Sequence, residues 1–368
     1  MGMSACWQLG RRGQRVLGLD RFAVPHSMGS HHGHSRMIRL SYFEHPDYVP
    51  LLRRTYQLWH ELERGSERSI LQATGGLYLS PADGVIVPGC LRASMEHGLD
   101  HELLDQAAVG ERYPQFRLPE GYHGFYERAA GVLLVEPALH ALHRLATNLG
   151  GDLRGNEPVR AWKADGQSVT VTTEKGVYEA ERLIIAGGAW SHELLGQLGV
   201  PLSVTRQTMF WLPMLDQEGV RSHPLPAWFV EYQRGHGIYG FPELPGQPGF
   251  KVAEHVNGEA VTPEGVNREC SDADWHQVQG KVNRFLPALA GQPLSNSVCL
   301  YTNSPDGNFV IDQHPHWKNV TLGTGFSGHG FKFAPVIGEA LAQLALDGHT
   351  PLPIDFLSLS RFSMHPEN

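Results

Sequence analysis

Cysteine is scarce. The chain has Cys6, Cys90, Cys270 and Cys299 and no others. Four thiols so widely scattered build neither a disulfide framework nor a zinc site, and they suit a reducing cytoplasm. Positive charge is also short, with 30 Lys and Arg against 38 Asp and Glu, a net charge of −8. No basic surplus exists to neutralise phosphates, so nucleic acid is not an expected partner. No apolar run approaches the ~18 residues that cross a bilayer, so no membrane is expected, and no signal peptide is recognisable. Internal repeats and low-complexity stretches are absent. The 21 histidines read as drift in composition, with a metal site as the alternative, and no metal is expected.

What is present is ordinary for a soluble globular protein: 41% hydrophobic and 18% charged residues. A chain of 368 residues suffices for two intimately joined domains. The most informative stretch is Gly323-Thr-Gly-Phe-Ser-Gly-His-Gly-Phe-Lys-Phe-Ala334. Asn319–Gly323 enters it as a short buried strand, and the stripe Val336, Ile337, Ala340, Leu341, Leu344 leaves it as a helix. Glycines there, among them Gly328 and Gly330, let backbone approach a ligand, and the helix start offers free N–H groups. A tight strand-to-helix connection would read the same way.

From the N-terminus, Met3–Gln8 reads as a helix and Arg15–Asp20 as a strand ending on an acid. Such an acid holds an adenosine ribose in a Rossmann unit, although a turn or N-cap acid is the alternative for Asp20. The unit also needs an earlier strand and a G-x-G-x-x-G turn, of which only Gly2 could be the third glycine. The expectation is therefore that a strand and two glycines are missing, through a start assigned roughly a dozen residues late or through fragmentation. Arg36 and Arg39 share a face if their segment is helical, either as an anion-binding pair or as a solvated face. Asp47–Arg64 is an amphipathic helix with a core stripe of Leu52, Tyr56, Trp59 and Leu62. Thr74–Ser80 reads as a strand and Glu136–Leu149 as a helix; Val159–Lys163, Val169–Thr173 and Val177–Glu179 read as a β-ribbon. Arg182–Ala186 is a buried strand ending at Gly187-Gly188, where backbone passes near a dinucleotide or simply enters a tight loop.

From Val204 to Cys299 the pattern is strand-rich. Lys251 and His255 fall on one side of a strand. A strand lysine usually faces solvent; a desolvated one is a fixed cation that stabilises a developing anion. Cys299 reads as a small buried hydrophobe. The fold class is α/β: a discontinuous Rossmann-like dinucleotide domain, residues 1–75, 136–205 and 300–362, with an inserted β-rich substrate domain, residues 76–135 and 206–299.

Five motifs occur in order: Ser30-His31-His32-Gly-x-x-Arg36-x-x-Arg39, Tyr239-Gly-Phe-Pro242, Lys251-x-x-x-His255, Cys299-x-Tyr301 and Gly325-Phe-Ser-Gly-His-Gly-Phe-Lys332. Together they resemble the monomeric sarcosine oxidase and N-methyltryptophan oxidase family, from Gly2 to about Phe362. The resemblance implies FAD linked through its 8α-methyl to Cys299. It implies oxidation of a small N-methyl amino acid by O2, giving the amino acid, formaldehyde and hydrogen peroxide. Arg39 and Lys332 would clamp the substrate carboxylate. Lys251 and Arg36 would lie beside the flavin, Lys251 facing oxygen, while His255 and Tyr239 would line the substrate pocket. Cofactor contacts would come from Gly2, Asp20, Ser30, His31, His32, Val159, Gly187, Gly188, Gly328 and Gly330. A monomer in the cytoplasm is implied too, since Pro366-Glu-Asn368 is not a peroxisomal tripeptide. Departures are the single Gly2, His34 where an acid is common, and Ile238 before Tyr239. A dehydrogenase using another acceptor and a flavin-poor fragment are the competing readings.

Overall fold

In the computed structural model, residues 1–215, 217–255, 258–289 and 291–362 are described; the tail Pro366-Glu-Asn368 lies outside them. The helix Gly2–Arg11 buries Ser4, Ala5, Trp7 and Gln8. These positions fall on one stripe, which packs on the helices Ala334–Asp347 and Val135–Asn148. The crossing is close: a Cβ on Gly338 would stand 2.5 Å from Ser4. Beneath lie two parallel pairings, Leu17–Leu19 with Asp152–Arg154 and Leu183–Ile185 with Val320–Thr324. Val310–Gln313 adds an antiparallel neighbour to Val320–Thr324. Val159–Ala164, Val169–Thr173 and Val177–Ala180 form the separate antiparallel ribbon that their alternation predicts. Among the described residues no helix is long and apolar enough to cross a membrane.

The largest sheet has eight strands. Across it run Ser295–Asn303, Ser203–Leu212, Phe250–His255, His236–Phe241, Ala227–Gln233, Gly76–Pro81, Tyr122–Glu127 and Glu102–Leu104. Every pairing is antiparallel except Ala227–Gln233 on Gly76–Pro81. Side chains on a strand alternate between faces. One face sends Phe210, Leu212, Trp228 and Val252 against Trp275, Val278, Val282 and Phe285 of the helix Asp272–Phe285. The other collects Met209, Trp211, Ala253, Cys299 and Tyr301. Phe250–His255 accordingly points Lys251 and His255 away from the apolar helix.

Two expectations need correction. Arg36 and Arg39 do not share a helical face, because Ser35–Ile38 is a strand paired with Gly131–Leu134. Three residues apart on extended chain, their side chains leave on opposite sides. The stretch from Val204 to Cys299 is not only strands and turns, since Asp272–Phe285 is helical. Its start carries a capping box between Ser271 and Asp274, and its buried residues recur at helical spacing. A further helix, Ile86–His97, was not foreseen.

The helix read as Asp47–Arg64 spans Tyr48–Ser66 and is closed by Glu67 at φ +52°. Leu52, Trp59 and Leu62 are fully buried, as their spacing predicts. Thr55 Oγ1 and Trp59 Nε1 both donate to the carbonyl of Lys332, each at 2.9 Å.

Candidate functional site

On the face away from the helix Asp272–Phe285, Cys299 lies opposite Gln207 and is 2% exposed. Burial pushes its thiol up, while Arg36, Lys251 and Arg268 pull the other way. Lys251 is 1% exposed. Two of its ammonium protons go to carbonyls, Gly33 at 2.8 Å and Ser35 at 3.0 Å. The rings of Trp211 and Phe241 cover it, with centroids 5.6 and 5.3 Å from Nζ. Burial, reinforced by Arg36, holds its pKa well below the usual lysine value. Gly33 is needed for this approach: its φ is +101°, and a Cβ would meet Met209 at 2.6 Å.

Arg36 ties down the preceding loop, donating to the carbonyls of Ser30 (2.8 Å), His32 (2.5 Å) and Ser35 (2.7 Å). Within that loop, burial lowers His31 and His32 to about 4, so both imidazoles are neutral at pH 7. His34, at φ +63°, pairs with Glu136 at 2.7 Å.

A second group of basic side chains, Arg39 and Lys332, lies within electrostatic reach of His255. Arg39, 4% exposed, donates to Glu44 at 2.5 Å and lies over the rings of Tyr42 and Phe43. Its Nε is buried without a partner. Burial disfavours the guanidinium charge, and Glu44 together with Tyr78, Tyr42 and Cys90 more than offsets that. Lys332 donates to the carbonyl of His329 at 2.9 Å and to Tyr42 Oη at 3.4 Å. Burial, with Arg39, drives its pKa well down, opposed by Glu44. Burial acts against the Glu44 charge, but Arg39, His329 and Lys332 hold this carboxyl below its usual value. His255 lies among Phe229, Tyr239 and Tyr301, and burial lowers it to about 4.

The turn after Val320–Thr324 closes the site. Gly325, Ser327 and Gly328 have φ of +63°, +46° and +77°. A Cβ on Gly328 would lie 2.2 Å from the Tyr301 ring. Ser327 N donates to Thr302 O at 2.8 Å, pinning the turn to the Cys299 strand. Gly330 has an ordinary φ of −75° but crowds Phe326.

Cys299, Lys251, Arg36, Tyr239, His255, Arg39, Lys332 and Gly328 are thus neighbours. Other expected cofactor residues stand elsewhere. Asp20 follows Leu17–Leu19, Gly187 and Gly188 follow Leu183–Ile185, and the Gly325 turn follows Val320–Thr324. All are carboxyl ends of parallel strands, where open α/β sheets take ligands. Asp20 Oδ1 accepts from Phe22 N at 2.9 Å, so it is also a turn acid. Gly2 opens the first helix, and Val159 begins the ribbon opposite Thr173. Glu44, Tyr42 and His329 were not singled out; only His329 lay inside a quoted motif.

These residues fit a dinucleotide. Gly188 is left-handed (φ +56°) with open space where a Cβ would go, so its backbone is accessible. Ser35 Oγ, on the residue whose carbonyl accepts from Lys251, is buried without a protein partner. An orphaned buried hydroxyl of this kind calls for a polar group from outside the chain.

The family model DAO, FAD dependent oxidoreductase, matches residues 1–344. A monomeric sarcosine oxidase of Streptomyces avermitilis is 40% identical over 371 residues, covering 100% of this chain and 96% of that protein. An N-methyl-L-tryptophan oxidase of Salmonella arizonae is 34% identical, covering 99% and 96%. Among solved structures, NikD, an unusual amino acid oxidase essential for nikkomycin biosynthesis, superposes with a TM-score of 0.83 at 27% identity, covering 97% of this chain and 94% of that one. A site with this geometry, on a chain matched along nearly its whole length, places the protein in the DAO family as an FAD-dependent oxidoreductase.

Proposed function

We propose that the chain oxidises a small secondary N-methyl amino acid, of sarcosine or N-methyltryptophan type, with O2 as acceptor. One N-methyl amino acid, one O2 and one water give the free amino acid, formaldehyde and hydrogen peroxide. The reading rests on one observation above all. Two buried basic side chains, Arg39 and Lys332, both act electrostatically on one carboxylate, that of Glu44, which Arg39 also hydrogen-bonds, beside a neutral His255. Two basic groups acting in this way suit an amino-acid carboxylate better than an uncharged amine.

In this reading the substrate carboxylate replaces that of Glu44 on Arg39 and engages Lys332 as well. The amine then lies towards His255, whose uncharged ring accepts a hydrogen bond and adds no proton. Neighbouring Arg39 and Lys332 favour the neutral amine, the form able to give up a hydride. Tyr239 and Tyr301 wall the pocket and limit water. Bound FAD supplies the hydride acceptor and hands the electrons on to oxygen. Cys299 Sγ is the attachment atom for it, and Arg36 keeps the Ser30–His32 loop in place against it. Lys251 offers its ammonium to negative charge developing on oxygen. Residues 1–75, 136–205 and 300–362 form the discontinuous FAD-binding part, and residues 76–135 and 206–299 the substrate part, of a cytoplasmic monomer.

Aerobic incubation with sarcosine, and separately with N-methyltryptophan, tests this reading. Peroxide equal to the amine consumed supports it. Consumption without peroxide would instead favour a dehydrogenase, and no consumption of either amine would remove the substrate assignment.

A further inference from the structure

One residue touches both cations of the carboxylate clamp. The Tyr42 ring lies 4.5 Å under the guanidinium carbon of Arg39, and its phenol oxygen is 3.4 Å from Lys332 Nζ. Tyr42 is fully buried and braced by Tyr48 and Phe333. Its hydroxyl meets His329 Nδ1 at 2.6 Å, while His329 Nε2 meets the carbonyl of Gly307 at 3.0 Å. A carbonyl only accepts, so Nε2 carries the proton. Burial keeps this imidazole neutral, lowering it to about 3, so Nδ1 is an acceptor. Tyr42 must then donate to His329, which leaves its oxygen lone pairs for the Lys332 ammonium. The same His329 receives Lys332 directly on its backbone carbonyl at 2.9 Å. Lys332, Tyr42 and His329 therefore donate one to the next in a single direction, and the chain ends on the accepting carbonyl of Gly307. If Tyr42 donated towards Lys332, two donors would face each other and the ammonium would swing away.

We propose that Tyr42 and His329 are positioning residues: His329 fixes the direction of the Tyr42 hydroxyl, and Tyr42 in turn holds Lys332 and Arg39 in register for one carboxylate. This rests on the N-methyl amino acid reading. It assigns the pair to capture of the acid group and not to chemistry at the amine.

The test uses full-length, flavin-loaded protein. Tyr42→Phe keeps the ring under Arg39 and removes the acceptor; His329→Gln keeps a donor for Gly307 and removes the Nδ1 acceptor. Each should raise KM for the N-methyl amino acid about tenfold, the usual effect of losing a hydrogen bond to a charged group, with kcat changed less than about threefold. His329→Asn, which places an oxygen near the Nδ1 position, should recover most of the loss. A merely structural role would move kcat and KM together and would not distinguish Asn from Gln. Unchanged KM in Tyr42→Phe and His329→Gln overturns the proposal even when the wild type turns over. Should the wild type oxidise no N-methyl amino acid, the substrate reading fails by itself. Calorimetric titration with acetate then decides: about tenfold weaker binding by Tyr42→Phe sustains the positioning role, while equal binding, or none by any protein, overturns it.

Discussion

Glu44 holds the guanidinium of Arg39 with its own carboxylate, at 2.5 Å and with both oxygens engaged. The chain carries an internal counterion where the proposed substrate places its acid group. Without it, two buried cations would face each other unneutralised. Binding is then an exchange of one carboxylate for another, and the net gain is smaller than two charge-assisted contacts imply.

Replacing Glu44 with Gln removes the competitor and should lower KM for the N-methyl amino acid several-fold. The empty protein should meanwhile lose about 1–3 kcal/mol of stability, since Arg39 keeps its burial and loses its partner. Saturating substrate should restore that loss by mass action. Urea unfolding with and without substrate reads both effects, and an unchanged KM would show that Glu44 does not compete.

Lys251→Met should slow reoxidation by oxygen about 10²–10³-fold, the scale for loss of one preorganised charge partner. Anaerobic reduction by substrate should stay within about threefold. Stopped-flow traces of the two half-reactions separate these outcomes. If both slow equally, the ammonium does not act on oxygen.

Acid precipitation of the wild type should leave yellow colour in the pellet, and Cys299→Ser should release it to the supernatant. Release from the wild type as well would sink the covalent assignment while leaving FAD in place.

Stability should fall with acid in a defined window. Burial keeps His31, His32 and His255 at about 4 and His329 at about 3. In the unfolded chain each titrates near 6.5, so below about pH 6.5 the unfolded state binds protons that the folded state refuses. The loss begins there, slows once pH drops through about 4, and levels off once it passes about 3, the His329 value. Denaturant midpoints at pH 7, 5.5 and 4.5 should decline in that order, less steeply for His31→Gln. Equal midpoints at pH 7 and 5.5 would contradict the buried-neutral assignment.

Local patterns in the sequence carried much of the architecture. The strand, glycine turn and helix around Lys332, the helix over Trp59 and the ribbon from Val159 all rest on short-range periodicity or turn chemistry. Lys251 and His255 share a strand face because the period of two is local as well. Long-range contacts were another matter. Ser35–Ile38 is extended because Gly131–Leu134 pairs with it, which nothing near Arg36 announces. Tyr42 meets His329 across 287 residues of chain, and neither residue stands out alone. Glu44 is different: an acid five residues beyond a candidate anion-binding arginine could have been weighed as its partner. The capping box at Ser271 was equally readable and was passed over.

The hydrogen bonds from Thr55 and Trp59 to the Lys332 carbonyl have a mechanical consequence. Arg39, Tyr42 and Glu44 lie on the chain just before the helix Tyr48–Ser66, and that helix grips the backbone of Lys332. Both halves of the clamp therefore ride on one rigid rod. A tilt or slide of that helix carries the two positive charges together, so their spacing behaves as a fixed gauge. An acid group that does not match the gauge must bend a buried helix to be held.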